Sequence, residues 1–236
     1  MSFRLPTPPV PDLARAKGGS VDELVEWLIG YFNTTGARFN YRSGVRSIKT
    51  AYKGLHDLKQ LLAGCEVEKT KIGRLANTSL VEHVAPLAFG RATQVFDLPA
   101  RKFPFGRDRF AAYRVPFFFV ENGVIKLYYL QPRKGVGLSY GELCMVASIH
   151  KSYLIDTEFF GQECDLEVVD ASAPLGGKDR VIQKYNLSEL DLWEPERISR
   201  RLSLIAEALD LVEASGRVEP RRRHTVNPSK DMPLFD

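Results

Sequence analysis

Residues 110–131 read FAAYRVPFFFVENGVIKLYYLQ, and this stretch decides the fold. Phe110 to Val120 is aromatic and β-branched, a composition that suits a pleated, half-buried surface. Asn122-Gly123 supplies the two left-handed positions of a tight hairpin loop, and Val124 to Leu130 is the returning strand. With a two-residue loop the paired positions add to 245, so Gln131 faces Arg114 and Arg133 faces Ala112.

Working outward, Gly135-Val136-Gly137 ends the hairpin. It lacks the third glycine and the downstream acid of a dinucleotide loop, so it reads as a turn. Ser139 and Glu142 form a capping box that opens a helix through Leu143, Val146, Ile149 and Tyr153. Leu166 to Val169 reads as a strand, and Val181 to Leu192 as a short strand and a loop. Pro195 opens the last helix, striped by Ile198, Leu202, Ile205, Leu209 and Val212 and stopped by Gly216. Upstream, Ser20 and Glu23 form another capping box and open a helix carrying Val21, Leu24, Val25, Leu28 and Phe32. A turn follows at Thr35-Gly36. The spacing of Val45, Ile48, Tyr52, Leu55, Leu58 and Leu62 then predicts one helix from about Gly44 to Ala63, with Gly64 as its stop. A third helix is expected over Ser79 to Phe89, kinked at Pro86. The fold class is therefore α+β or mixed α/β: N-terminal helices, then a small sheet built on a hairpin with flanking helices. The expected divisions are a flexible Pro-rich arm (1–19), a helical region (20–90), an α/β core (91–216) and a basic flexible tail (217–236).

Composition narrows the class. The chain has 236 residues, 44% apolar and 26% charged, as in folded rather than disordered or fibrous proteins. No apolar run approaches the ~20 residues of a membrane helix, and the N-terminus lacks the apolar core of a signal peptide. Three widely spaced cysteines, Cys65, Cys144 and Cys164, make neither a disulfide framework nor a zinc site, which points to a cytoplasmic protein without a membrane partner. Motifs for P-loop, zincin and nucleophile-elbow chemistry are missing. Glu82-His83 reads as a solvated pair and Cys144 as core.

Charge is polarised along the chain. Residues 37–137 carry a balance of +11 and residues 138–216 a balance of −8, within a total of +4. A field of that shape steers a polyanion to one side. The candidate phosphate contacts are Arg46, Lys49 and Lys53 on the second helix and Arg101, Lys102, Arg107 and Arg109 around the hairpin. The interleaved Phe103, Phe105, Phe110, Tyr113, Tyr128 and Tyr129 read as sheet core where they lie in strands and offer rings to unpaired bases where they are exposed. Mutual neutralisation of the two halves, within one chain or between copies, is the alternative.

The order hairpin, polar end Leu130-Gln131-Pro132-Arg133-Lys134, helix, strand Asp165 to Asp170 resembles the core of the PD-(D/E)XK nuclease superfamily. There the second hairpin strand ends in acid-x-Lys, some members carry Gln for the acid, and an aspartate on the facing strand completes a Mg²⁺ site. The resemblance implies Gln131, Arg133 and Lys134 as catalytic positions, and Mg²⁺ as cofactor if the nuclease reading holds. Register arithmetic puts Arg114 and Ala112 where the facing aspartate belongs, so the implied site is degenerate. The tail ends in Asp231-Met232-Pro233-Leu234-Phe235-Asp236, which resembles the bacterial sliding-clamp-binding motif, with Asp231 standing at the glutamine position. That resemblance implies Met232, Leu234 and Phe235 as partner-binding residues, with Leu234 and Phe235 as anchors, while docking of the same peptide on its own domain or on a second copy is the other reading. The expected function is a DNA-associated protein (DNA in preference to RNA) with a nuclease-like, degenerate core and a partner-recruiting terminal peptide. An active metal-dependent endonuclease and a non-enzymatic assembly protein, the latter as a homo-oligomer, are the alternatives.

Overall fold

The computed structural model describes residues 4–34, 40–113, 115–135, 137–174 and 177–218. Local signals set most of the helix ends. Val10–Ala14 forms α1 and Val21–Asn33 forms α2, whose capping box at Ser20 and Glu23 is present as read. Arg42–Tyr52 is α3, Leu58–Ala63 is α4 and Lys71–Val84 is α5, followed by a 3-10 turn over Ala85–Ala88. The strands are β1 (Gln94–Asp97), β2 (Arg101–Phe105), β3 (Arg109–Tyr113), β4 (Phe117–Glu121) and β5 (Val124–Gln131). Helix α6 (Tyr140–His150) starts at the Ser139–Glu142 box and continues through a π turn (Lys151–Ile155) into the short α7 (Asp156–Glu158). Strand β6 (Cys164–Asp170), strand β7 (Gln183–Tyr185) and helix α8 (Pro195–Ser215) follow in the described residues, with Gly216 left-handed at φ +63° as the stop of α8.

Among the described residues five strands form a sheet in the order β1-β4-β5-β6-β7, while β2 and β3 pair only with each other. The β4–β5 hairpin has the register expected of Asn122-Gly123, with Phe117 opposite Tyr128. Strand β6 lies parallel to β5, and α6 makes the crossover. Side chains alternate between the two faces of the sheet. Phe117, Phe119, Tyr128, Leu130 and Val169 bury against α3, α4 and α5. Leu127, Tyr129, Leu166 and Val168 bury on the opposite face with α1, α2, α6, α8 and the β2–β3 hairpin. The result is a mixed α/β arrangement with helices on both faces.

Four expectations are corrected. The segment 1–19 is not a loose arm over its described part, because Leu5, Val10 and Leu13 are buried in the larger core. The helix expected over 44–63 is two helices. Gly54 turns left-handed at φ +68°, and Asp57 with Gln60 makes a fresh capping box inside the apolar periodicity. The third helix begins eight residues earlier than expected, capped by Thr70, and Pro86 sits in the first turn of the 3-10 segment instead of kinking a helix. The strand read over 110–120 is two strands that change partner. Pro116 has no N–H to give a ladder, and β3 turns back on β2 through Gly106 at φ +62°. A Cβ on Gly106 would stand 2.8 Å from the Ala206 methyl, so the hairpin tip reaches α8 closely because that residue is glycine.

Candidate functional site

Parallel strands deliver their carboxyl ends together, and in open α/β sheets ligands bind beyond such ends. Here the ends of β5 and β6 place Gln131 beside Asp170 in register, both 3% exposed. The segments that follow the two strands stay hydrogen-bonded to each other: Ala171 N donates to Gln131 O at 3.0 Å, and Ala173 N to Lys134 O at 2.8 Å. Buried Arg180 donates to Pro132 O at 2.9 Å and also to Ala171 O, tying the two strand ends. Gly137 crosses close by, since a Cβ there would stand 2.6 Å from Ser172 Oγ.

Helix α1 adds the charge that sequence reasoning could not place. Asp12 is buried and accepts from Arg15 Nη1 at 2.8 Å, from Arg133 Nη1 at 2.8 Å and from Tyr31 Oη at 3.1 Å. Arg15 Nε also donates to Gly137 O at 3.3 Å. Burial raises the Asp170 carboxyl, while the Ser172 N–H and the Arg15 and Arg180 charges pull it back down. The Tyr129 phenol, buried among Arg15, Asp170, Asp12 and Arg133, is raised above its ordinary range by desolvation. So Gln131 and Arg133, nominated as catalytic, lie in one cluster with the Asp12 and Asp170 carboxylates and the Arg15 and Arg180 guanidinium groups. Lys134 is half-buried beside it, its backbone carbonyl occupied by Ala173.

A Mg²⁺ ion does not suit this donor set. The Asp12 carboxylate already accepts from two guanidinium groups and a phenol, and Asp170 Oδ1 accepts from Ser172 N at 2.9 Å. Among the described residues no three His, Cys, Asp or Glu side chains come together to hold a metal. Arg114, the position opposite Gln131 by register, lies outside the described residues.

A second ionic cluster sits on the other face of the sheet. Arg91 donates to Glu121 through two bonds of 2.7 Å and to Glu167 through two of 3.0 Å, and its guanidinium lies 5.1 Å from the Tyr52 ring centroid. Lys126 adds a 3.0 Å bond to Glu121, and Tyr52 Oη donates to Glu167. Bonding to Arg91 is the main reason the Glu121 carboxyl falls to about 2.

The basic residues divide. Along α3, Gly44, Ser47, Ile48, Ala51 and Tyr52 are buried, while Arg42 and Arg46 are exposed and Lys53 caps the end in solvent. Lys49 shares their side of the helix and pairs with Asp97, whose carboxyl it lowers together with nearby Lys53. On the hairpin, Lys102 and Arg107 are exposed. Arg101 is paired with Glu158 at 2.5 Å. Arg109, nominated as a phosphate contact, is corrected: its side chain is 2% exposed and lies between Asp210 and Glu213 of α8. Alternation explains it, because Arg109 shares the inner face of the hairpin with Phe103, Phe105, Ala111 and Tyr113. Arg101 and Arg109 of the basic half are therefore neutralised by acids of the acidic half, and Arg91 is shared between Glu121 of its own half and Glu167 of the other. Met232, Leu234 and Phe235 lie outside the described residues. No helix among the described residues is long and apolar enough to cross a membrane. In comparisons with family models, curated proteins and solved structures, nothing matches this chain.

Proposed function

We propose that this chain is a DNA-associated protein that holds the phosphate backbone along α3, on a nuclease-like core that does not cleave. The observation that carries the reading is the basic stripe Arg42, Arg46, Lys49, Lys53. Its eleven steps at 1.5 Å span ~16 Å, about five phosphates of one strand. The opposite side of α3 is buried against the sheet, so the stripe is presented on a fixed support. Lys102 and Arg107 extend the cationic surface from the hairpin. Hairpin β4–β5, crossover α6 and parallel strand β6 follow the element order that the nuclease resemblance implies. The Asp12–Arg133 pairing at the strand ends favours binding over metal-assisted cleavage. The terminal peptide, through Met232, Leu234 and Phe235, recruits a partner, the replication clamp being the one its sequence resembles.

Titration of a short labelled duplex over rising NaCl tests the reading. Three to four phosphate contacts predict a log–log slope of about −3, and R46A/K53A lowers its magnitude by about two. Binding indifferent to salt, or unchanged in that variant, removes the phosphate mechanism. Incubation with plasmid and Mg²⁺ or Mn²⁺ is expected to leave it intact. Nicking would instead establish the endonuclease.

A further inference from the structure

Between the β2–β3 hairpin, the π turn and α8 lies a groove of about 850 Å³. Its lining includes Phe103, Phe105, Tyr153, Ile198, Leu202 and Ala206. Arg107 stands on the hairpin side, exposed, and Glu207 and Asp210 on the helix side. The groove is thus apolar in its floor, with one cationic rim and one anionic rim.

The chain leaves the described region from the end of α8 that carries Asp210. Beyond Gly216, Arg217 pairs with Glu26 of α2 at 2.5 Å and Val218 is buried. The next twelve residues, Glu219–Lys230, hold Arg221, Arg222, Arg223 and Lys230 against a single acid. They lead to Asp231-Met232-Pro233-Leu234-Phe235-Asp236. We propose that the groove is the docking site of residues 231–236 of the same chain. Met232, Leu234 and Phe235 match the apolar floor, and Asp231 and Asp236 match Arg107. The basic run before them follows the acidic rim of α8.

Reach and concentration favour this occupant. From Ser215 back to Leu202 is thirteen helical steps, ~20 Å, whereas twelve residues extend up to ~40 Å. A segment tethered at that span meets the groove at an effective concentration of about a millimolar, which a second copy matches only when the protein itself is that concentrated. Docking here does not involve α3, and Arg107 is the one side chain that the peptide and the DNA-facing surface share. It bears on partner recruitment, because the groove and a partner would compete for the same peptide.

Spin labels test it in the full chain. Arg200→Cys, outside the groove lining, and Ser229→Cys, two residues before the peptide, carry the labels in a Cys164→Ser background; Cys65 and Cys144 are buried. The expected result is one narrow distance population below about 25 Å. It should broaden and lengthen when Ser199→Trp and Ser203→Trp fill the groove from exposed positions, and equally with L234D/F235D. A broad distribution that neither change alters overturns the proposal. So does a short distance that arises only between singly labelled chains mixed together, which would make the occupant a second copy.

Discussion

Helix α3 and the β2–β3 hairpin have similar basic composition but different fates. On the helix, cations at positions 42, 46, 49 and 53 recur with the helical period and fall opposite the buried stripe, so most remain in water. On the hairpin the period is two, and Arg109 is carried inward with the aromatic residues that fill the core. Burying a guanidinium without partners is costly, and α8 supplies Asp210 and Glu213 to meet it. A basic segment is therefore a binding surface only where its period agrees with the direction of the solvent.

The largest effect expected from this contrast is on Arg109. R109A removes a buried, paired side chain and leaves carboxylates that reach solvent, so it should destabilise the fold by about 1–3 kcal/mol, seen in urea or thermal unfolding, with little direct loss of DNA contact. A variant of unchanged stability that loses DNA binding would reverse the contrast. Arg91, also drawn inward, gives the next test. Its bonds hold Glu121 at about 2, below the unfolded value of 4.5. That contribution is complete above about pH 4.5 and disappears as pH falls through about 2. Glu121→Gln should lower Tm at pH 7 and converge with the parent near pH 2, whereas a constant gap across that range would mean that Glu121 acts through packing alone.

On the outward segment the expected effect lies in binding. R46A/K53A should reduce the salt slope by about two while shifting stability by less than ~0.5 kcal/mol. Smallest of all is Arg101→Ala. Its pair with Glu158 is about one-third exposed on each side, so its loss should cost about 0–1 kcal/mol. A cost near that of R109A would place Arg101 with the inward group.

Much of the local framework was legible. Ser20 with Glu23 and Ser139 with Glu142 mark helix starts within four residues, and Asn122-Gly123 fixes the β4–β5 register. Periodicity misread residues 44–63, because Leu55, Leu58 and Leu62 continue the apolar rhythm across a left-handed Gly54, although Asp57 and Gln60 carried a readable start signal. Strand β1 was missed, and nothing in its four residues distinguishes it from a loop. At the candidate site, Gln131 and Arg133 were visible as a polar strand end. Asp12 was not, since it lies 121 residues from Arg133 in a segment whose prolines suggested an extended arm. The Arg91 cluster was equally hidden, with Glu121 and Glu167 being 30 and 76 residues away.

The amino-acid order by itself determined what is settled between neighbours: caps, the tight hairpin and its pairing, the glycine stop at 216, and the unequal distribution of charge along the chain. Tertiary structure alone decided which charges face water. Ion pairs such as Arg109–Glu213 and Arg133–Asp12 join residues more than a hundred positions apart. Whether a guanidinium meets a carboxylate or solvent depends on how the layers close over the sheet, and no window of local sequence contains that packing.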